Sequence, residues 1–136
     1  ILRIPTGGNT LHAANVGDSG FRIIRNRQVI FGSAVQQYQF NMPYQFGHPK
    51  HLPDTSEVED AALMEVALKP GDLIILGTDG LFDNLHLADM VEIVAAALGS
   101  GRGHERKRSS SWSVKAAASE LARLAERVAR AARDNA

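Results

Sequence analysis

Three aspartates lie beside glycines, at points in the sequence where short apolar runs end. Asp18 is part of the segment GDSG, and Asp79 and Asp83 are four residues apart in LGTDGLFDN. Their carboxylates could bind a hard cation such as Mg²⁺ or Mn²⁺, which prefer oxygen ligands. Two explanations need no ligand: aspartate stabilises tight turns, and Asp83 could be the N-cap of a following helix. The two fragments alone leave these explanations open.

Two strands are predicted before Asp79. MEVALK alternates apolar and polar residues, which is typical of a half-buried strand, whereas LIIL is continuously apolar and predicts a strand buried on both faces. KPGD lies between them and is typical of a turn. We therefore expect a hairpin whose second strand ends at residues 77–78. HLADMVEIVAAAL then has helical spacing, so Asp79 and Asp83 are predicted to lie in the loop between a strand and a helix.

The surroundings of Asp18 are also predicted to be strands. LHAANVG indicates one strand, and GDSG indicates a tight turn with Asp18 at its tip. FRII and QVIF then predict a hairpin, connected through Arg25, Asn26 and Arg27, in which FRII has one open face. Loops that follow strands on a rigid scaffold are common positions for functional residues.

Taken together, the two aspartate segments resemble the metal-dependent protein phosphatases of type 2C. ANVGDSG, a short hairpin and, about forty residues later, GDLIILGTDGLFDN carry the resemblance from about residue 11 to about residue 85. The resemblance implies an α+β fold, an antiparallel β-sandwich flanked by helices, of which this chain would be an incomplete part. QQYQFNMPYQFG resembles a loop of the mitochondrial and plastid members, and the compartment stays open between these organelles and the cytoplasm.

The resemblance also implies roles for individual residues. Asp79 looks like the family's ligand to one of two central Mg²⁺ or Mn²⁺ ions. Asp18 and Asp83 look like the pair that joins Asp79 around a third, weaker ion. Gly80 and Gly17 would support the turns, and we expect Gly80 to let the backbone turn sharply and approach the ions without a Cβ.

The implied activity is hydrolysis of phosphoserine and phosphothreonine in phosphoprotein substrates by a water that the metal ions activate. Four family features have no counterpart here: an acidic-glycine motif, a phosphate-binding arginine, a general-acid histidine and a final aspartate. Gly20 stands where many members have arginine. We therefore expect the C-terminal half of a catalytic domain, with no catalytic residues beyond the metal ligands and no activity as an isolated chain.

Two other functions compete with this interpretation. A truncated phosphatase-like domain could be a catalytically inactive binding module, and an acidic-glycine strand encoded upstream would argue against that alternative. A phosphotransferase with an aspartyl nucleophile needs a second aspartate two residues before Asp79, where Gly77 stands. That pattern therefore fails.

Composition restricts the partners. The 15 basic residues balance the 15 acidic residues, so we expect no nucleic-acid binding. No apolar run is long enough to span a bilayer, and we expect a monomer that binds no membrane. The absence of cysteine excludes disulfides but fits several compartments.

The last third of the chain is predicted to contain two segments. A flexible basic insertion is expected at about 99–113, where RKRSSS could also be a nuclear signal or a phosphorylation site. A C-terminal helix is expected at about 114–134. Its apolar stripe of Leu121, Leu124 and Val128 predicts packing on a sheet, with a basic membrane-surface helix as the alternative.

Overall fold

The computed structural model describes residues 1–52, 54–99 and 114–135. Its contacts divide the chain into two compact units, Ile1–Asp79 and Gly80–Ala136. The strands of the first unit are β1 (Leu2–Arg3), β2 (Thr10–Asn15), β3 (Gly20–Arg25), β4 (Gln28–Gly32), β5 (Gln37–Gln39), β6 (Met42–Pro43), β7 (Ala62–Ala67) and β8 (Leu73–Gly77). A 3-10 turn at Val58–Asp60 precedes β7.

Two three-stranded antiparallel sheets form the first unit, in the orders β1-β2-β7 and β4-β3-β8, and β5 and β6 form a separate ribbon. One core joins the two sheets. Leu11 and Ala13 of β2 are buried in it together with Phe21 and Ile23 of β3. The expected α+β class with stacked antiparallel sheets is therefore confirmed.

The hairpin predicted around KPGD is wrong. β7 pairs with β2 and β8 pairs with β3, so the chain passes from one sheet to the other between them. KPGD is nevertheless a turn, in which the Asp72 amide donates to the Lys69 carbonyl at 3.0 Å and Gly71 has a φ of 92°. Hydrophobic alternation identifies a strand but does not identify its partner. The chain makes the same passage between sheets through GDSG, from β2 to β3.

The hairpin predicted from FRII and QVIF is confirmed, as β3 and β4. Arg25 and Gln28 are opposite each other, and Asn26 and Arg27 between them have φ of 49° and 64°. Positive φ at both central residues is the type I′ geometry, whose twist matches that of the flanking strands.

The burial predicted for LIIL and FRII is wrong, and the two strands have exchanged roles. Leu76 at the end of LIIL is 66% exposed, and the other three residues are half-buried. In FRII, Phe21, Ile23 and Ile24 are all buried. The reason is position: β3 is the central strand of its sheet, whereas β8 is at the edge of that sheet among the strands described.

The helices are α1 (Asp79–Phe82), α2 (Leu87–Gly99) and α3 (Val114–Asp134). In the second unit α2 contacts α3, and the buried residues of α3 recur every fourth position, which forms one stripe along the helix. The buried residues on the two helices are Met90 and Val94 in α2, and Leu124, Val128 and Ala132 in α3. The described part of the chain contains no helix that is long and apolar enough to cross a membrane. The basic insertion predicted at 99–113 lies, beyond Gly99, outside the described residues.

Candidate metal centre

Asp18 and Asp79 lie at the same end of the β4-β3-β8 sheet. Gly20, the first residue of β3, is directly opposite Gly77, the last residue of β8. Asp18 precedes this glycine pair by two residues and Asp79 follows it by two. Because the strands are antiparallel, both aspartates lie beyond the same end of the sheet. The pairing therefore brings together two residues that are far apart in the sequence.

The turn that carries Asp18 is held by hydrogen bonds to the carbonyls on either side of it. The Asn15 side-chain amide donates to the Ser19 carbonyl at 2.8 Å and to the Gly17 carbonyl at 3.4 Å. The Gln36 backbone amide also donates to the Gly17 carbonyl, at 3.0 Å. With both flanking peptides fixed in this way, the Asp18 side chain starts from a defined backbone position.

Gly17 is required by this turn. Its φ is 96°, in the left-handed region that side chains other than glycine rarely adopt. A Cβ at Gly17 would also lie 2.8 Å from the backbone carbonyl oxygen of Tyr44. The turn therefore packs against the segment after β6.

The start of β3 is anchored by Ser33, the residue after β4. The Phe21 amide donates to the Ser33 hydroxyl at 2.9 Å, and the Ser33 amide donates to the Phe21 carbonyl at 3.0 Å. The guanidinium of Arg22 donates to the Ser33 carbonyl at 3.2 Å, and partial burial lowers the pKa of Arg22. This anchor lies three residues after Asp18.

Asp79 is the first residue of α1, and Asp83 directly follows the last residue of this short helix. Gly80 is the second residue of α1 and has no positive φ, so the sharp turn expected of it is an ordinary helical turn. The side-chain amide of Asn84 donates to the Gly80 carbonyl at 3.1 Å. Asp79 ends the first unit and Asp83 belongs to the second.

The donor chemistry at this end of the sheet fits Mg²⁺ or Mn²⁺, because carboxylate oxygens are the ligands that these hard ions prefer. Asp18 and Asp79 provide two such side chains from one sheet end. Within residues 1–52, 54–99 and 114–135, no group of three or more His, Cys, Asp or Glu side chains is arranged to hold a metal ion. The pair can thus supply part of a coordination sphere.

Sequence reasoning missed Asn15 and Ser33, which hold the Asp18 turn from both sides. Asn15 had a signal, since an asparagine that precedes a glycine-rich turn commonly bonds to the backbone of that turn. Ser33 had none, because its partner Phe21 lies twelve positions away in the preceding strand.

Comparison with known proteins gives protein phosphatases among the relatives of this chain. The chain is 47% identical over 90 residues to "Probable protein phosphatase 2C 55" of Arabidopsis thaliana, covering 65% of this chain and 18% of that protein. It is 36% identical over 123 residues to "Protein phosphatase PTC7 homolog fig" of Drosophila grimshawi, covering 88% of this chain and 38% of the relative. This chain is a homologue of the type 2C protein phosphatases. No protein-family model matches the sequence.

Solved phosphatase structures agree with this assignment. The type 2C homologue superimposes on the photosystem II phosphatase PBCP with a TM-score of 0.69 and 26% identity, over 98% of this chain and 43% of that one. A serine/threonine phosphatase of S. agalactiae shares the fold, with a TM-score of 0.57 and 17% identity. The chain spans half or less of the length of each of these four relatives.

Proposed function

We propose that the protein is a metal-dependent phosphatase that hydrolyses phosphoserine and phosphothreonine in phosphoproteins. Its proposed metal ligands are Asp18, Asp79 and Asp83, and the cofactor is two or more Mg²⁺ or Mn²⁺ ions. The observation that carries the proposal is the Gly20–Gly77 pair, which directs Asp18 and Asp79 to one end of a sheet. The homology to type 2C phosphatases supports the same activity.

The contribution of this chain is to hold and orient ligands. When bound, the ions lower the pKa of a water and neutralise charge on the phosphoryl oxygens. Asn15 and Gly17 fix the backbone on which Asp18 stands, and the end of β8 fixes the position of Asp79. Fixed ligand positions matter because ions must be held in place before a phosphate can be oriented between them.

The described residues are proposed to be part of one catalytic domain, its C-terminal half. Three aspartates supply too few ligands for two fixed ions, and the homologous PBCP structure is more than twice the length of this chain. We therefore propose that the 136 residues bind Mn²⁺ without hydrolysing phosphopeptides at an enzymatic rate.

The test is a titration of the purified chain with Mn²⁺, in which electron paramagnetic resonance measures the concentration of the free ion. Asp18→Asn and Asp79→Asn are each expected to weaken Mn²⁺ binding about 10-fold or more, because each removes a charged oxygen ligand. Glu65→Gln is the matched control, since Glu65 is exposed and bonds to His12 on the other sheet. It should leave the Mn²⁺ affinity unchanged.

Two outcomes would contradict the proposal. Equal Mn²⁺ affinity in wild type, Asp18→Asn and Asp79→Asn would remove the site and favour the inactive binding module. Clear Mn²⁺-dependent release of phosphate from a phosphoserine peptide by these 136 residues would overturn the half-domain assignment while leaving the phosphatase activity established.

A further inference from the structure

We infer that Ser33 and Gly20 form a coupled pair that positions Asp18, so that Ser33 is a positioning residue for the metal site. The inference rests on the proposed function, because it takes Asp18 as a ligand. It adds a residue that lies outside both aspartate segments and gives a physical reason for the glycine at position 20.

The role of Ser33 follows from its two bonds to Phe21. β4 ends at Gly32, and the backbone of Ser33 adds one further bond to β3 by donating to the Phe21 carbonyl at 3.0 Å. Its hydroxyl then accepts from the Phe21 amide at 2.9 Å. Ser33 is only 6% exposed, so water would not readily replace the hydroxyl as the partner of that amide. The start of β3 is therefore fixed by a side chain.

Gly20 is the second half of the pair. A Cβ at position 20 would overlap the Ser33 hydroxyl oxygen but would lie 3.6 Å from the Ser33 Cβ. The hydroxyl in its observed position and any side chain at position 20 therefore exclude each other, whereas an alanine at position 33 would leave an ordinary contact. Gly20 has no positive φ, so alanine is otherwise compatible with its backbone. A side chain at position 20 would therefore require the Ser33 hydroxyl to leave its bond to the Phe21 amide.

Asp18 lies between two anchors as a result. Asn15 bonds to the carbonyls of Gly17 and Ser19 on either side of it, and Ser33 fixes Phe21 three residues later. Without the bonds from Ser33, the start of β3 could shift and displace Asp18, although the Asp18 residue itself is unchanged. Residues that orient metal ligands without touching the ion change metal affinity through such shifts.

The first experiment measures the Mn²⁺ affinity and the unfolding free energy of Ser33→Ala. We expect the affinity to fall about fivefold, below the roughly 10- to 100-fold typical of side chains that bond directly to a ligand. Hydrogen exchange at the Phe21 amide should also become faster. The control is Arg25→Ala, which removes the Arg25–Asp72 ion pair at the opposite end of β3. That variant should lose stability and keep its Mn²⁺ affinity.

The second experiment is a double-mutant cycle with Gly20→Ala. In wild type, Gly20→Ala should lower both stability and Mn²⁺ affinity, because the new methyl group meets the Ser33 hydroxyl. In the Ser33→Ala background the same substitution should have little effect on either quantity. An equal cost of Gly20→Ala in both backgrounds would overturn the coupling.

Asp18→Asn separates this inference from the proposed function. If Asp18→Asn leaves Mn²⁺ affinity unchanged, the proposed metal site fails and the positioning role fails with it. If Asp18→Asn weakens binding but Ser33→Ala loses no more affinity than Arg25→Ala, only the positioning role is overturned. A fivefold loss in Ser33→Ala, absent from Arg25→Ala, supports it.

Discussion

The two ends of the β4-β3-β8 sheet both carry aspartate, in opposite settings. At one end the Asp72 carboxylate accepts two hydrogen bonds of 2.7 Å from the guanidinium of Arg25. Arg25 also donates to the Ala67 carbonyl at 3.1 Å, so its side chain links the end of β7 to the residue that precedes β8. At the other end Asp18 makes no ion pair with any described residue, and the backbone around it is held by neutral groups.

This difference places the same residue type in two electrostatic environments on one sheet. The hydrogen bond from Arg25 lowers the pKa of Asp72 to about 2, because the guanidinium stabilises the charged carboxylate. A carboxylate whose charge is already neutralised by arginine is a poor candidate for a metal ligand. Asp18, in contrast, lies on a turn held by hydrogen bonds and has no basic partner among the described residues.

The largest effect is expected from a substitution in the core that supports both ends of the sheet. Phe21 is 1% exposed, and its ring stacks on Phe31 at a centroid distance of 5.5 Å. Phe21→Ala should lower the unfolding free energy by about 3–5 kcal/mol, measured by urea denaturation. Phe40→Ala is the control, since Phe40 is 94% exposed and should cost less than about 0.5 kcal/mol. Similar losses in the two variants would contradict the assigned core.

The next prediction compares one glycine from each end. Gly17→Ala should cost about 2 kcal/mol, because it combines a positive φ with a methyl group 2.8 Å from the Tyr44 carbonyl oxygen. Gly71→Ala, at the Asp72 end, has a φ of 92° but nothing within 4 Å of its Cβ, and should cost about 1 kcal/mol. Urea denaturation of both variants tests the difference. Equal costs would show that the Tyr44 contact contributes nothing.

The pH dependence of stability should be concentrated at the Asp72 end. The folded pKa of Asp72 is about 2, below its ordinary value of 3.8, so the folded state binds the proton less tightly than the unfolded state. The contribution of Asp72 is therefore complete above about pH 4 and is lost as the pH falls through about 2. Wild type should lose more stability than Asp72→Asn between pH 5 and pH 2. Identical pH profiles of the two proteins would show that the ion pair does not contribute.

The smallest effect is expected at the outward face of β8, next to the Asp79 end. Leu76 is 66% exposed, so Leu76→Thr should change the unfolding free energy by less than about 0.5 kcal/mol. Ile23→Val removes a single methyl group from a residue with no exposed surface and should still cost about 1 kcal/mol. A larger loss of unfolding free energy in Leu76→Thr than in Ile23→Val would support the prediction that LIIL is the buried strand and FRII the open one.

Local patterns in the sequence predicted most of the strands and turns. The type I′ turn at Asn26 and Arg27 and the turn at Gly71 are encoded by adjacent residues, so sequence reasoning could find them. The partner of a strand is not encoded locally, which is why β7 and β8 were expected to pair with each other. The burial of LIIL depends on that same partnership, because a central strand and an edge strand can have equally apolar sequences.

The candidate site divides in the same way. Asp18 and Asp79 belong to recognisable segments. Their position at one end of the sheet could also have been predicted if the pairing of β3 with β8 had been predicted correctly. The steric conflict between a side chain at position 20 and the Ser33 hydroxyl depends on how closely these two segments pack. No spacing within the sequence indicates it. Gly80 was expected to let the backbone turn sharply and approach the ions without a Cβ, but it is the second residue of a short helix.

The passage of the chain between sheets at GDSG and at KPGD has a consequence for folding kinetics. Among the described strands, the β3–β4 hairpin is the local pairing of its sheet, whereas β2–β7 and β3–β8 join residues 47–57 positions apart. Closing such long loops is entropically costly, so contacts of this kind slow folding and form after local ones. Gly20 and Gly77 meet only when β8 has docked on the hairpin. The end of the sheet that carries Asp18 and Asp79 is thus expected to be assembled late, after the hairpin that supports it.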